Sequence, residues 1–176
     1  MKADLKVIGP AANWPRYLVA GGTSIQTGEP VHSVATSSGG VATANTAVLA
    51  AADTPIIGTH RFMGVANENS ENDTAATPLV KEQFLNCSIP VPNVGRLRGK
   101  AETVASVDTL TELALLIQDF VLIDYNATGA SDGGQLYTIK ELASADTSGL
   151  ELVGGNTALQ TLDAVVDARA YRLDVT

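Results

Sequence analysis

From Tyr17 onward the chain is a succession of short apolar runs separated by glycines and polar clusters. The pieces "RYLVA", "EPVHSVAT", "GVATA" and "PIIGTHRFMGVA" are rich in β-branched and aromatic residues, and Gly21-Gly22, Gly28, Gly39-Gly40 and Gly58 punctuate them. That pattern predicts short strands joined by tight turns. "NTAVLAAAD" fits a strand or a turn of helix equally, and "NENSENDTAATP" reads as an exposed loop. The next segment, "LVKEQFLNCSIPVPNVGRLRGKAE", carries strand-forming residues, with Pro90 and Pro92 pushing it to an edge, a bulge or a strand end. Within it Arg96, Arg98 and Lys100 alternate with Leu97 and Gly99. A period of two is that of an extended strand, so the three cations should share one face.

One helix is predicted, over about residues 109–121. Thr109 and Glu112 fit a capping box, and Leu110, Leu113, Leu116, Ile117 and Phe120 recur at three- and four-residue spacing. Leu113, Leu116, Ile117 and Phe120 should then lie buried against a sheet. Beyond the helix, "VLIDY" and "QLYTIKELA" flank the Gly-rich "NATGASDGG" as the arms of a hairpin. In the closing run "LDAVVDARAYRLDV" the apolar phase switches near Ala170, which predicts a bulge or bend. Residues 1–16 hold two prolines and show no periodicity, so they read as an arm or an edge and not a packed element, and are assigned as an extended N-terminal arm preceding a single β-rich domain over 17–176. Trp14 in that arm is either tucked into the core or an interface anchor.

Composition narrows what such a domain does. At 176 residues it is long enough to bury a core without disulfides, and Cys87 is its only cysteine. No secretory signal and no apolar run of membrane-spanning length stand out, so a soluble protein made in a reducing compartment is expected. The formal net charge of −8 argues against nucleic acid, whose binding rests on clustered cations. The glycosylation-type sequons at Asn72, Asn86 and Asn126 carry no weight without a secretory route.

Patterns that would carry catalysis or hold a metal are incomplete in this chain. Gly129-Ala130-Ser131-Asp132-Gly133 matches a nucleophile elbow, but a strand follows it and no histidine lies beyond Ser131, so a hairpin tip is the reading. Asn67, Asn69, Glu71 and Asp73 alternate as in a calcium loop, yet Asn72 stands where glycine is needed and Pro78 where glutamate is needed. His32 and His60 show no ligand spacing with Cys87 or a carboxylate, and Cys87 lies among strand residues, as a buried inert thiol does. The expectation is a protein without catalytic residues, metal, cofactor or small-molecule substrate, working through protein contacts.

The order of the pieces carries a resemblance. A Gly-bounded hairpin, "GGTSIQTGEPV", leads into "PIIGTHRFMGVANENS" and "SIPVPNVGRLRGKAET", and the chain closes on "YTIKELASADTSGLELVGGN" and "VVDARAYRLDV". From about residue 18 to the end this resembles the head-decoration, or capsid cement, proteins of tailed bacteriophages. The resemblance implies a compact β-barrel or β-tulip-like domain that forms a homotrimer. It would bind the major capsid protein on the outer surface of the virion after synthesis in the cytoplasm of the host bacterium, with neither nucleic acid nor membrane as partner. Another virion subunit, of tail, baseplate or capsid shell, is the alternative, and a small serine hydrolase built on Ser131 is a third. On the decoration reading, Trp14, Arg96, Arg98 and Lys100 are the candidate partner-binding residues. Pairing of the three cations with Glu102 or another acid of the chain itself is the competing account.

Overall fold

The computed structural model describes residues 5–19, 25–34, 46–47, 60–69, 84–103, 107–125, 137–141 and 148–171, leaving aside the side chains at 14–19, 32–34, 46–47, 60–61 and 84–85. The fold is mainly β with one α-helix, as the apolar pattern predicts. In chain order the strands are β1 (Lys6–Ile8), β2 (Ala11–Val19), β3 (Pro30–Val34), β4 (Thr46–Ala47), β5 (His60–Ala66), β6 (Phe84–Pro90) and β7 (Arg96–Lys100). Helix α1 (Leu110–Leu116) follows, then β8 (Phe120–Tyr125), β9 (Tyr137–Glu141), β10 (Leu150–Asn156) and β11 (Thr161–Val166). They form two sheets, one of six strands ordered β1-β7-β11-β10-β8-β9 and one of five ordered β3-β5-β6-β2-β4. Neighbours run antiparallel except β2 and β4.

The six-stranded sheet covers the larger core. Leu97 and Ala101, Leu162, Ala164 and Val166, Leu150 and Leu152, Val121 and Ile123, and Tyr137 and Ile139 all point inward at alternate positions, as a period-two pattern requires. Phe62 and Val65 of the second sheet join that cluster, so the two sheets share a core. A smaller cluster of Ile25, Val31, Met63, Ala66 and Cys87 lies within the second sheet, with Ile89 packed against it.

Several expectations are corrected. Residues 6–8 and 11–16 are not an arm: β1 pairs with β7 and β2 with β6, so both belong to the sheets. Pro15 misled the reading because prolines demote a strand. Here the ladder skips from Trp14 to Tyr17 and accommodates it as a bulge. The barrel does not close. Its end strand β9 instead meets the chain just past β7 through the isolated bridge Ala101↔Ile139, supported by the Glu102 N–H donating to the Ile139 carbonyl at 2.9 Å. The helix has its predicted start, with Thr109 and Glu112 completing both halves of the capping box, but ends at Leu116 instead of 121. Ile117 is extended, Gln118 takes a φ of 79°, and Phe120 opens β8, so Ile117 and Phe120 are exposed and Leu113 alone of the predicted stripe is buried, with Leu116 half-buried. The phase switch near Ala170 is a 3₁₀ turn over Ala168–Tyr171, where the strand has already ended. The β8–β9 pairing is the predicted hairpin, while its loop, with Ser131, lies outside the described residues.

Candidate functional site

Strand β7 places the cations as its alternation demands. Its inner positions are filled by Leu97, Gly99 and Ala101, all buried, and its outer positions by Arg96, Arg98 and Lys100. Gly99 is needed for space: a Cβ there would sit 2.6 Å from Leu5 Cδ2 and 3.1 Å from Ile139 Cγ1, because β9 curls back over the strand at this point. Outward, Lys6, Arg96, Glu151 and Phe120 are exposed. Directly opposed residues share a face, so the register builds one outer row of Ile8, Arg96, Val165, Glu151 and Phe120 and another of Lys6, Arg98 and Asp163.

Within that face the cations are not equivalent. Arg98 Nε and Nη2 donate to the two carboxylate oxygens of Asp163 at 2.6 and 2.7 Å. Its fork-shaped guanidinium matches the carboxylate in a bidentate pair, which stabilises the charged form and pushes Arg98 further up from an already basic value. Asp163 is 3% exposed, so the pair seals a carboxylate into the sheet surface. Lys100 Nζ donates to the Leu159 carbonyl at 2.6 Å, and among the described residues it has no ion pair. Arg96 is exposed and, among the described residues, has no ion pair. Lys6, exposed and opposite Arg98, is a fourth cation of the face. Sequence reasoning missed it because it lay in the supposed arm; only the β1–β7 register reveals it.

The two sequence accounts of these residues therefore divide between them. Arg98 has an internal partner, though it is Asp163, sixty-five positions away, and not Glu102. Glu102 instead lies 3.5 Å from Lys140. Lys6, Arg96 and Lys100 remain as a positive surface on an acidic chain. The backbone of Trp14 pairs with Cys87 in β2–β6, away from this face, and its side chain lies outside the described residues.

The remaining candidates stand elsewhere. Cys87 is fully buried, and burial, with the Glu68 charge second, pushes its thiol up to about 12. That is the inert thiol expected. His32 and His60 stand on paired strands, opposite Phe62 and Val34. Of the supposed calcium loop, Asn67 and Asn69 are described, and their side-chain oxygens bond to β6 and to the turn at Thr27. Asn67 Oδ1 accepts from Ser88 Oγ, and Asn69 Oδ1 accepts from the Thr27 N–H at 2.8 Å. Among the described residues no group of three or more His, Cys, Asp or Glu is arranged to hold a metal ion, and no helix is long and apolar enough to cross a membrane. No family model, curated protein or solved structure matches this chain.

Proposed function

We propose that this chain is a structural virion protein: a homotrimeric decoration subunit that binds the outer surface of an expanded phage capsid and clamps neighbouring capsomers. The observation that favours it is the outer side of β1 and β7, where Lys6, Arg96 and Lys100 stand without an acidic partner among the described residues, on a protein of net charge −8. Such a face steers an acidic partner surface into register and repels a copy approaching the wrong way round, which governs association rate and specificity more than affinity. The trimer and the major capsid protein as partner follow from the resemblance. Many copies that bind the expanded shell but not free subunits stabilise that shell by mass action. The chain would be made in the host cytoplasm and reside on the capsid, acting mechanically and without catalysis.

Co-sedimentation with expanded, genome-free heads tests this reading. The wild type should bind as a trimer by light scattering. Lys6→Glu/Arg96→Glu/Lys100→Glu should associate at least about tenfold more slowly at low salt, converging with the wild type as the Debye length shrinks. A monodisperse monomer that ignores heads overturns the proposal, and salt-independent, unchanged association of the triple variant removes this face from it.

A further inference from the structure

The curl that almost closes the six-stranded sheet leaves an opening where β9 meets the end of β7. Behind it lies a pocket of about 220 Å³. Its floor is core surface, from Leu116, Val121, Ile139, Leu152 and Leu162. Its rim is charged: Glu102, Asp119, Glu141 and Lys140. Lys6, Arg96, Arg98 and Lys100 are not among its lining, so the pocket is a separate feature.

The rim charges do not cancel. Lys140 Nζ is 3.5 Å from Glu102 and 3.9 Å from Asp124, so the ammonium is already shared between two carboxylates. Asp119 and Glu141 have no ion pair among the described residues. The main chain at Asp119 is fixed: its N–H donates to the Leu116 carbonyl at 3.0 Å, and its own carbonyl accepts from the Leu152 N–H at 2.9 Å. An acidic rim beside an apolar floor selects for one kind of occupant. A hydrocarbon body removes the floor from water, and a cationic head makes charge-assisted hydrogen bonds to the rim. An anionic head would meet net negative charge, and a neutral head would lose the charge-assisted bond.

We propose that this pocket binds a small amphipathic organic cation, an alkylammonium or alkylguanidinium group, as a ligand and not as a substrate. The pocket is below the roughly 300 Å³ at which drug-sized sites begin, which restricts the occupant to a short chain. A wider groove of about 320 Å³ between β1 and the second sheet lacks this combination, since Lys6 is the one charged residue among its described lining.

The experiment is a titration of the full chain with n-hexylammonium, n-hexanol, hexanoate and methylammonium, followed by amide chemical shifts and calorimetry. Hexylammonium should bind at least about tenfold tighter than each of the other three, the difference expected when a charge-assisted hydrogen bond and the hydrocarbon act together. Shifts should centre on Leu116, Val121, Ile139 and Leu152. Asp119→Asn/Glu141→Gln should reduce hexylammonium to the level of hexanol while leaving hexanol unchanged. Thr103→Trp, a substitution at an exposed rim position, should block both. Absence of binding, equal binding of hexylammonium and methylammonium, a preference that survives the double variant, or shifts mapping elsewhere would each overturn the proposal.

Discussion

At the residue scale, Arg98 and Asp163 carry the sharpest consequence. Asp163 is buried and Arg98 is about one-third exposed, so removing the arginine strands a carboxylate that has lost water and gained nothing in return. Arg98→Met should therefore destabilise the domain by about 3 kcal/mol, the low end for breaking a buried pair because water still reaches one side. Asp163→Asn, which keeps the shape and removes the charge, should cost less. The double variant Arg98→Met/Asp163→Asn distinguishes a stranded charge from lost packing. With the carboxylate neutralised as well, it should recover most of the loss if a stranded charge causes it. Urea unfolding of the three variants reads this directly; a deficit that persists in the double variant would mean the arginine stem, not its charge, matters. Nothing in the sequence around "GRLRGK" distinguishes Arg98 from its neighbours, since its partner is brought to it by the β7–β11 register.

At the scale of elements, what was legible in sequence is what local chemistry determines. The capping box was readable because Thr109 and Glu112 satisfy each other's backbone within one turn. The helix end was not, because Gln118 adopts its positive φ without the glycine that advertises such a turn, and the apolar spacing runs on into β8. Alternation in β7 was readable; the membership of β1 was not, since three residues beside Gly9-Pro10 hold no pattern of their own and become a strand only against β7. The corrected helix makes a clear prediction. Leu113→Ala should cost about 2–4 kcal/mol, because Leu113 is 7% exposed and packs into the main core. Phe120→Ala should cost about 1 kcal/mol or less, because that ring is 37% exposed on the outer face of β8. Unfolding midpoints in urea decide it: equal losses would restore a longer helix with Phe120 inside.

At the scale of the whole molecule the question is whether two sheets make one cooperative body, as a clamp under tension would need. The chain passes between them at Gly9-Pro10, from β1 to β2, and again at residues 91–95, from β6 to β7. These two crossings lie against each other. The Val91 N–H donates to the Pro10 carbonyl at 3.0 Å, the Asn93 N–H reaches the Val166 carbonyl at 2.9 Å, and Tyr171 Oη donates to the Pro90 carbonyl at 2.7 Å. The Tyr171 ring also packs on Phe62, 5.9 Å between centroids, tying the 3₁₀ turn to the second sheet. Gly95 is the position that allows this: a Cβ there would lie 2.5 Å from the Val91 nitrogen and closer still to the Pro10 carbonyl oxygen, both rigid backbone atoms. Gly95→Ala should thus separate the crossings and weaken both sheets together, although it touches neither hydrophobic cluster. Native-state hydrogen exchange checks this with Leu97 and Ile139 as probes of one sheet and Ala66 and Cys87 of the other. In the wild type all four should open with the same free energy, and in Gly95→Ala all four should fall by the same amount. If the pairs differ in the wild type, or if only Leu97 and Ile139 lose protection in the variant, the sheets are separate folding units and the shared core does not couple them.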